Sequence, residues 1–170
     1  MLESVRRRWA ERRCSWIGPR PRSSGRTWIH GGGTVRCGEG VVLDASRAPI
    51  ELHVGAGASL VLGDGVRIEG GTSIEAMERV EIGDGARVGA WCKVLDNHFH
   101  PVNGDRHDRP ASAPVSIGAG VVVGERCIVL PGARLEEGAR LGPGVVIGRR
   151  VPAHTTLAGS PPRRVAGARS

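Results

Sequence analysis

Three imidazoles fall within one polar stretch: His98, His100 and His107 lie between Leu95 and Pro114. The densest part reads Asp96-Asn97-His98-Phe99-His100-Pro101. Imidazole is the only side chain whose unperturbed pKa lies near neutrality, so it can take up and return a proton at physiological pH. A base of that kind, held within hydrogen-bond reach of a weak nucleophile, typically contributes about 10²–10⁴-fold to its attack. Either His100 or His98 can be that base. Asp96 is free to orient the imidazole or to contact the nucleophile, and an ordinary turn-forming aspartate is an equal reading. His107 reads as a solvated loop residue, and His30, His53 and His154 belong to no constellation visible in the sequence. The second cluster is cationic: Arg149 and Arg150, then Ser160-Pro161-Pro162-Arg163-Arg164. A guanidinium grips phosphate in a fork, although each of these arginines reads equally well as a solvated charge.

Something must position these groups, and the surrounding sequence is periodic. Ile117, Val123, Val129, Leu135, Leu141 and Ile147 open six successive hexads, with a small residue or Val recurring at the fifth place. An amphipathic helix wants apolar positions near 3.6 and a half-buried strand wants them every second residue. A period of six fits a short strand plus a turn, three of which close one triangular coil. Each coil leaves an apolar edge bare until the next one stacks on it. Glycine at the second and fourth places suits tight corners, where positive φ costs little without a Cβ. Leu62, Ile68 and Ile74 open one earlier coil, and Ile82, Val88 and Val94 the next. Val42, Leu43, Ile50, Leu52 and Val54 are expected to point inward in a looser preceding coil. The Gly-x-Gly corners are no dinucleotide fingerprint, because no helical period follows them. The repeat fails over residues 95–114 and resumes at Val115. An excursion of that length from a strict solenoid is a loop, and long ordered loops are usually functional.

Composition agrees. The chain of 170 residues has 27 glycines, no Tyr and one Phe, as a narrow solenoid with little room for rings requires. Its formal net charge of +7 rests almost wholly on arginine, with Lys93 the single lysine, which favours anionic partners. Cys92 and Cys127 fall at small-residue places and read as buried packers; Cys14 and Cys37 complete a set without metal-type spacing. That set suits a reducing cytosol, so a cytoplasmic location is expected, and no apolar run approaches the ~18 residues of a membrane span. Residues 1–27 are expected to form a short basic amphipathic helix to about Arg13, then a linker. That helix would cap the first coil or touch an acidic membrane peripherally. Nucleic acid is not expected as a partner, for want of interleaved stacking aromatics. The domain reading is thus 1–27 helix and linker, 28–152 solenoid with the 95–114 loop, and 153–170 a tail that covers the open end.

Order and spacing now add a resemblance. Asp96-Asn97-His98-Phe99-His100-Pro101, then Pro114-Val115-Ser116-Ile117-Gly118, then the hexads, then Val151-Pro152…Ala158-Gly159-Ser160-Pro161-Pro162, resemble the hexapeptide-repeat acyltransferases of the maltose/galactoside O-acetyltransferase type. The resemblance covers residues 60–165 well and 28–59 loosely. It implies an all-β fold, a left-handed parallel β-helix. It also implies an acetyl-CoA-dependent acetyltransferase in which a histidine, His100 by the Phe-His-Pro phrase, takes the acceptor's proton. The acceptor would be a hydroxyl-bearing small molecule or glycan, no metal would be needed, and the assembly would be a homotrimer, since one prism is expected to have no pocket of its own. By the same resemblance CoA would lie along the outside of the last coils, at Gly124, Glu125, Pro143, Gly148 and Arg149, with Arg163 and Arg164 near its phosphates. Val122, Pro143 and Ser160 depart from the family's usual Trp, Ala and Asn. A γ-carbonic-anhydrase-like zinc protein and a non-catalytic β-helix scaffold are the alternatives. The first is disfavoured because its three histidines would crowd one loop.

Overall fold

The computed structural model describes residues 14–98 and 110–159. The expected helix of residues 1–13 lies outside them. The described chain is all strand and turn, wound into about seven coils. The first coil holds β1 (Ser15–Ile17) and β2 (Arg22–His30), and the second holds β3 (Thr34–Cys37) and β4 (Val42–Val54). Three strands then make each coil. The third has β5 (Ser59–Leu62), β6 (Arg67–Glu69) and β7 (Ser73–Ala76), and the fourth β8 (Arg79–Ile82), β9 (Arg87–Val88) and β10 (Lys93–Leu95). The fifth has β11 (Val115–Ile117), β12 (Val122–Val123) and β13 (Ile128–Val129). The sixth has β14 (Arg134–Leu135), β15 (Arg140–Leu141) and β16 (Val146–Ile147), and β17 (Arg150–Val151) and β18 (Thr156–Leu157) open the last.

Among the described residues every pairing is parallel and links one coil to the next. The first face is the ladder β1-β3-β5-β8-β11-β14-β17. The second runs from the start of β4 through β6, β9, β12, β15 and β18, and the third from the end of β4 through β7, β10, β13 and β16. β2 and β4 each pass from second face to third without losing strand geometry, and they pair along both halves.

The hexad reading holds. Ile117, Val123, Val129, Leu135, Leu141 and Ile147 are buried, and so are Val121, Cys127, Ala133, Ala139, Val145 and Val151 at the fifth places. Inward residues of successive coils stack in register, as Leu62 with Ile82, Ile82 with Ile117 and Ile117 with Leu135. Cys92 and Cys127 are buried packers as expected, each thiol donating to a carbonyl one coil on, Gly124 O at 3.0 Å and Gly142 O at 3.1 Å. The Cys127 sulfur, acting as acceptor towards the Cys92 thiol, and then burial, push the Cys92 thiol far above the ordinary thiol range.

Four expectations are corrected. The wall begins before residue 28, because β1 and β2 already pair with β3 and β4, and it continues past 152, because β18 pairs with β15. Val42 is not inward: Val41 and Leu43 are buried on either side of it, and a strand alternates. The two glycine places have different causes. Fourth-place Gly120 does have φ of +63°, with open space where a Cβ would stand. Second-place Gly118 lies in ordinary φ, but a Cβ there would stand 2.8 Å from the backbone nitrogen of Glu137 in the next coil. Finally, His30 and His53 do form a constellation. They occupy equivalent places in successive coils and their rings stack at 4.8 Å between centroids.

Candidate functional site

The excursion leaves the third face after β10 and returns to the first face at β11, so it springs from the corner between those two faces. Its root is built from buried polar groups. Asp96 is fully buried. Its Oδ1 accepts from the Met77 amide at 2.7 Å and its Oδ2 from the Glu78 and Arg79 amides at 2.8 and 2.7 Å, in the turn joining β7 to β8 one coil below. Its carbonyl accepts from Ala113 N at 2.8 Å, which ties the outgoing strand to the returning one. Asn97 Nδ2 donates to Pro110 O at 2.9 Å and to Ser112 Oγ at 2.8 Å. Ala113 O then accepts from Gly132 N at 2.9 Å, in the coil above. The two ends of the excursion are therefore clasped into a neck while the ladder from β8 to β11 runs on in register.

This arrangement changes the reading of Asp96. Both its oxygens are engaged by backbone amides, so it fixes the corner immediately before His98. His98 is exposed immediately beyond the neck. His100 and His107 lie outside the described residues, as do Arg163 and Arg164. Asn97 was missed in sequence. An Asp-Asn pair at a break in the hexads was the available signal, and turn propensity explained it too easily.

Beside the neck, on the first face, is an open groove of about 440 Å³ lined by Glu81, Ser116 and Arg134 together with Ala113, Pro114, Val115 and Gly132. Glu81, Ser116 and Arg134 are consecutive rungs of one outward row. Glu81 is ion-paired with Arg79. A single prism thus has a groove of its own, contrary to expectation, but an open one.

The residues assigned to CoA by resemblance are divided between two edges. Gly124, Glu125 and Pro143 lie where the second face turns into the third, between β12 and β13 and between β15 and β16. Gly148 and Arg149 lie where the third face turns into the first, on the edge that carries the neck. The full width of the third face separates the two sets within one chain. Among the described residues there is no group of three or more His, Cys, Asp or Glu side chains that could hold a metal ion.

The geometry can be set beside known proteins. Residues 114–149 match the family described as bacterial transferase hexapeptide (six repeats). A curated relative, the 2,3,4,5-tetrahydropyridine-2,6-dicarboxylate N-acetyltransferase of Enterococcus faecalis, is 48% identical over 52 residues, which is 31% of this chain and 22% of the relative. The chain therefore spans about a fifth of that relative's length. Among solved structures, a mutant of AntD, an N-acyltransferase from Bacillus cereus in complex with dTDP and coenzyme A, is similar at a TM-score of 0.70 and 18% identity, over 97% of this chain and 88% of that one. A galactoside acetyltransferase in complex with coenzyme A is similar at 0.57 and 16%, over 97% of this chain and 70% of that one. Repeat, coil and likeness agree: residues 114–149 carry the hexapeptide repeat, and the chain has the left-handed parallel β-helix fold of these structures.

Proposed function

We propose that the protein transfers an acetyl group from acetyl-CoA to a hydroxyl of a sugar-like acceptor. The observation that carries this reading is the neck. A strict solenoid is interrupted once among its hexads, and the buried Asp96 and Asn97 side chains hold both ends of the interruption beside an open groove, with His98 exposed just beyond them. In the proposed reaction the imidazole of His100 takes the hydroxyl proton as that oxygen attacks the thioester carbonyl carbon. The negative charge on the carbonyl oxygen is met by a backbone N–H. The C–S bond then breaks, the CoA sulfur leaves, and the imidazolium returns the proton to it. Gly124, Glu125 and Pro143 on one edge, and Gly148 and Arg149 on the other, line the donor. Because a face separates them, the site is completed by a second chain of a homotrimer, each chain lending one edge.

An amine acceptor is the second reading, supported by the N-acyl transfer that the names of the Enterococcus relative and AntD record. The same base and donor serve both. Thiol release from acetyl-CoA against a panel of sugars and amines tests the proposal: release with a sugar supports it, release with amines alone moves it to the second reading, and no release with either overturns it.

A further inference from the structure

Trp91 stands out on the edge between the second and third faces. It is 52% exposed in a chain with four Trp, one Phe and no Tyr. Its φ is +61°, a left-handed conformation that is an outlier for a bulky side chain. Such strain persists only where the surroundings impose it, and it concentrates at functional sites. The cause is visible. Gly71, Trp91, Arg126 and Gly144 are the positive-φ residues of this edge in successive coils, joined by amide-to-carbonyl bonds from Trp91 N to Gly70 O, Arg126 N to Ala90 O and Gly144 N to Glu125 O. The indole lies back on Gly71, so close that a Cβ there would stand 2.4 Å from its ring. His154, also at positive φ, lies on Gly138 in the same way. The six-membered ring of the indole is thus pressed on Gly71, while half of the residue's surface stays open to solvent.

Resting on the acetyl-transfer reading, the structure assigns Trp91 as the platform for the acceptor, and we infer that the acceptor is a pyranoside whose C–H-lined ring face stacks on the exposed indole. The placement argues for acceptor rather than donor. Glu125 is one coil above Trp91 and Pro143 two coils above; with the pantetheine along Gly124 and Glu125 and the adenine near Pro143, as the family resemblance implies, the acetyl end of the proposed donor is the end that faces the indole. An indole backed by Gly71 and half exposed suits a flat, weakly polar ring. Arg126, on the coil above and 4.0 Å from the Glu125 carboxylate, supplies a donor for ring hydroxyls.

Glycine is the informative replacement, since Trp91→Gly removes the ring and relieves the strained backbone together. With acetyl-CoA and methyl pyranosides, Trp91→Gly is expected to raise the acceptor KM at least about tenfold and leave the acetyl-CoA KM within about twofold, with Trp91→Phe recovering most of the loss. In parallel, intrinsic fluorescence of the wild type is titrated with the same methyl pyranosides without acetyl-CoA. A saturable change that is absent in Trp91→Gly is expected. Unchanged acceptor KM, an equal rise for acetyl-CoA, or a fall in oligomeric mass in the variant would overturn the assignment, the last by making Trp91 an assembly contact. If the wild type releases no thiol with any acceptor, the acetyl-transfer reading fails, and the fluorescence titration still decides whether Trp91 binds a pyranoside.

Discussion

Coils five and six and the neck of the excursion lie within one rung of each other, yet they are held by different forces. In the coils the specification is steric: an aliphatic residue at the first place, a small one at the fifth, and backbone-to-backbone bonds to the neighbouring coils. At the neck it is polar and individual, with two carboxylate oxygens on three amides and one carboxamide closing the gap. The repeating wall draws on a non-directional force that many residues of similar size satisfy. The interruption depends on directional bonds that a single atom change removes.

That contrast can be broken by experiment. The largest effect is expected on chemistry alone: His100→Ala lowers kcat by about 10²–10⁴-fold, with the melting temperature unchanged. A matching loss only in His98→Ala would move the base by two residues. Next comes Asp96→Ala, which leaves three amides without their acceptor in a buried corner and is expected to cost roughly 3 kcal/mol or more in urea unfolding. Asn97→Ala is expected to cost about 1 kcal/mol and to lower kcat more than it lowers stability. If Asp96→Ala unfolds no more readily than the wild type, the neck is not held as described.

The wall has its own test in two glycines of one hexad. Gly118→Ala drives a methyl against the Glu137 backbone and is expected to cost about 1–3 kcal/mol. Gly120→Ala meets open space and carries only the left-handed penalty of about 1 kcal/mol. Equal costs would erase the distinction between the two places.

Smaller effects are expected in the lower coils. The His53 imidazole is held below its ordinary value near 6.5, first by burial and then by the charge of His30, against the opposing pull of Glu75 and Glu51. A group whose folded pKa is depressed in this sense resists protonation in the fold, so the unfolded chain binds more protons as the pH falls. Stability is therefore expected to drop as the pH falls through about 6.5, and to drop less in His53→Gln; melting curves at pH 7.5 and 5.5 compare them. Smallest of all is Arg150→Ala. Its guanidinium meets Glu136 at 2.7 Å but both side chains are exposed, and the change in melting temperature should be near the limit of detection.

The same contrast explains what could be read from the sequence. Ile117 to Ile147 announced the coil because steric specification repeats, and each repetition is evidence for the others. Val42 was misassigned where the period loosens and Val41, Val42 and Leu43 offer three aliphatics in a row. The early start of the wall at Ser15 was hidden because β2 is arginine- and serine-rich and mostly exposed, with little apolar signal to count. Directional groups do not repeat. Asp96 could be seen as part of a site but not as its anchor, since Met77, Glu78 and Arg79 enter only as backbone. The stacking of His30 on His53 needed the coil length of the loosest region, which the hexads above did not supply.

One property of the neck reaches beyond the present chain. Because Asp96 and Ala113 are bonded to each other and the ladder from β8 to β11 passes behind them unbroken, the scaffold registers no difference between a short detour and a long one. Lengthening, trimming or rewriting the segment beyond the clasp is expected to leave the stack of coils as it was. Lineages built on this plan can therefore revise what the appended segment selects while inheriting the tower unchanged.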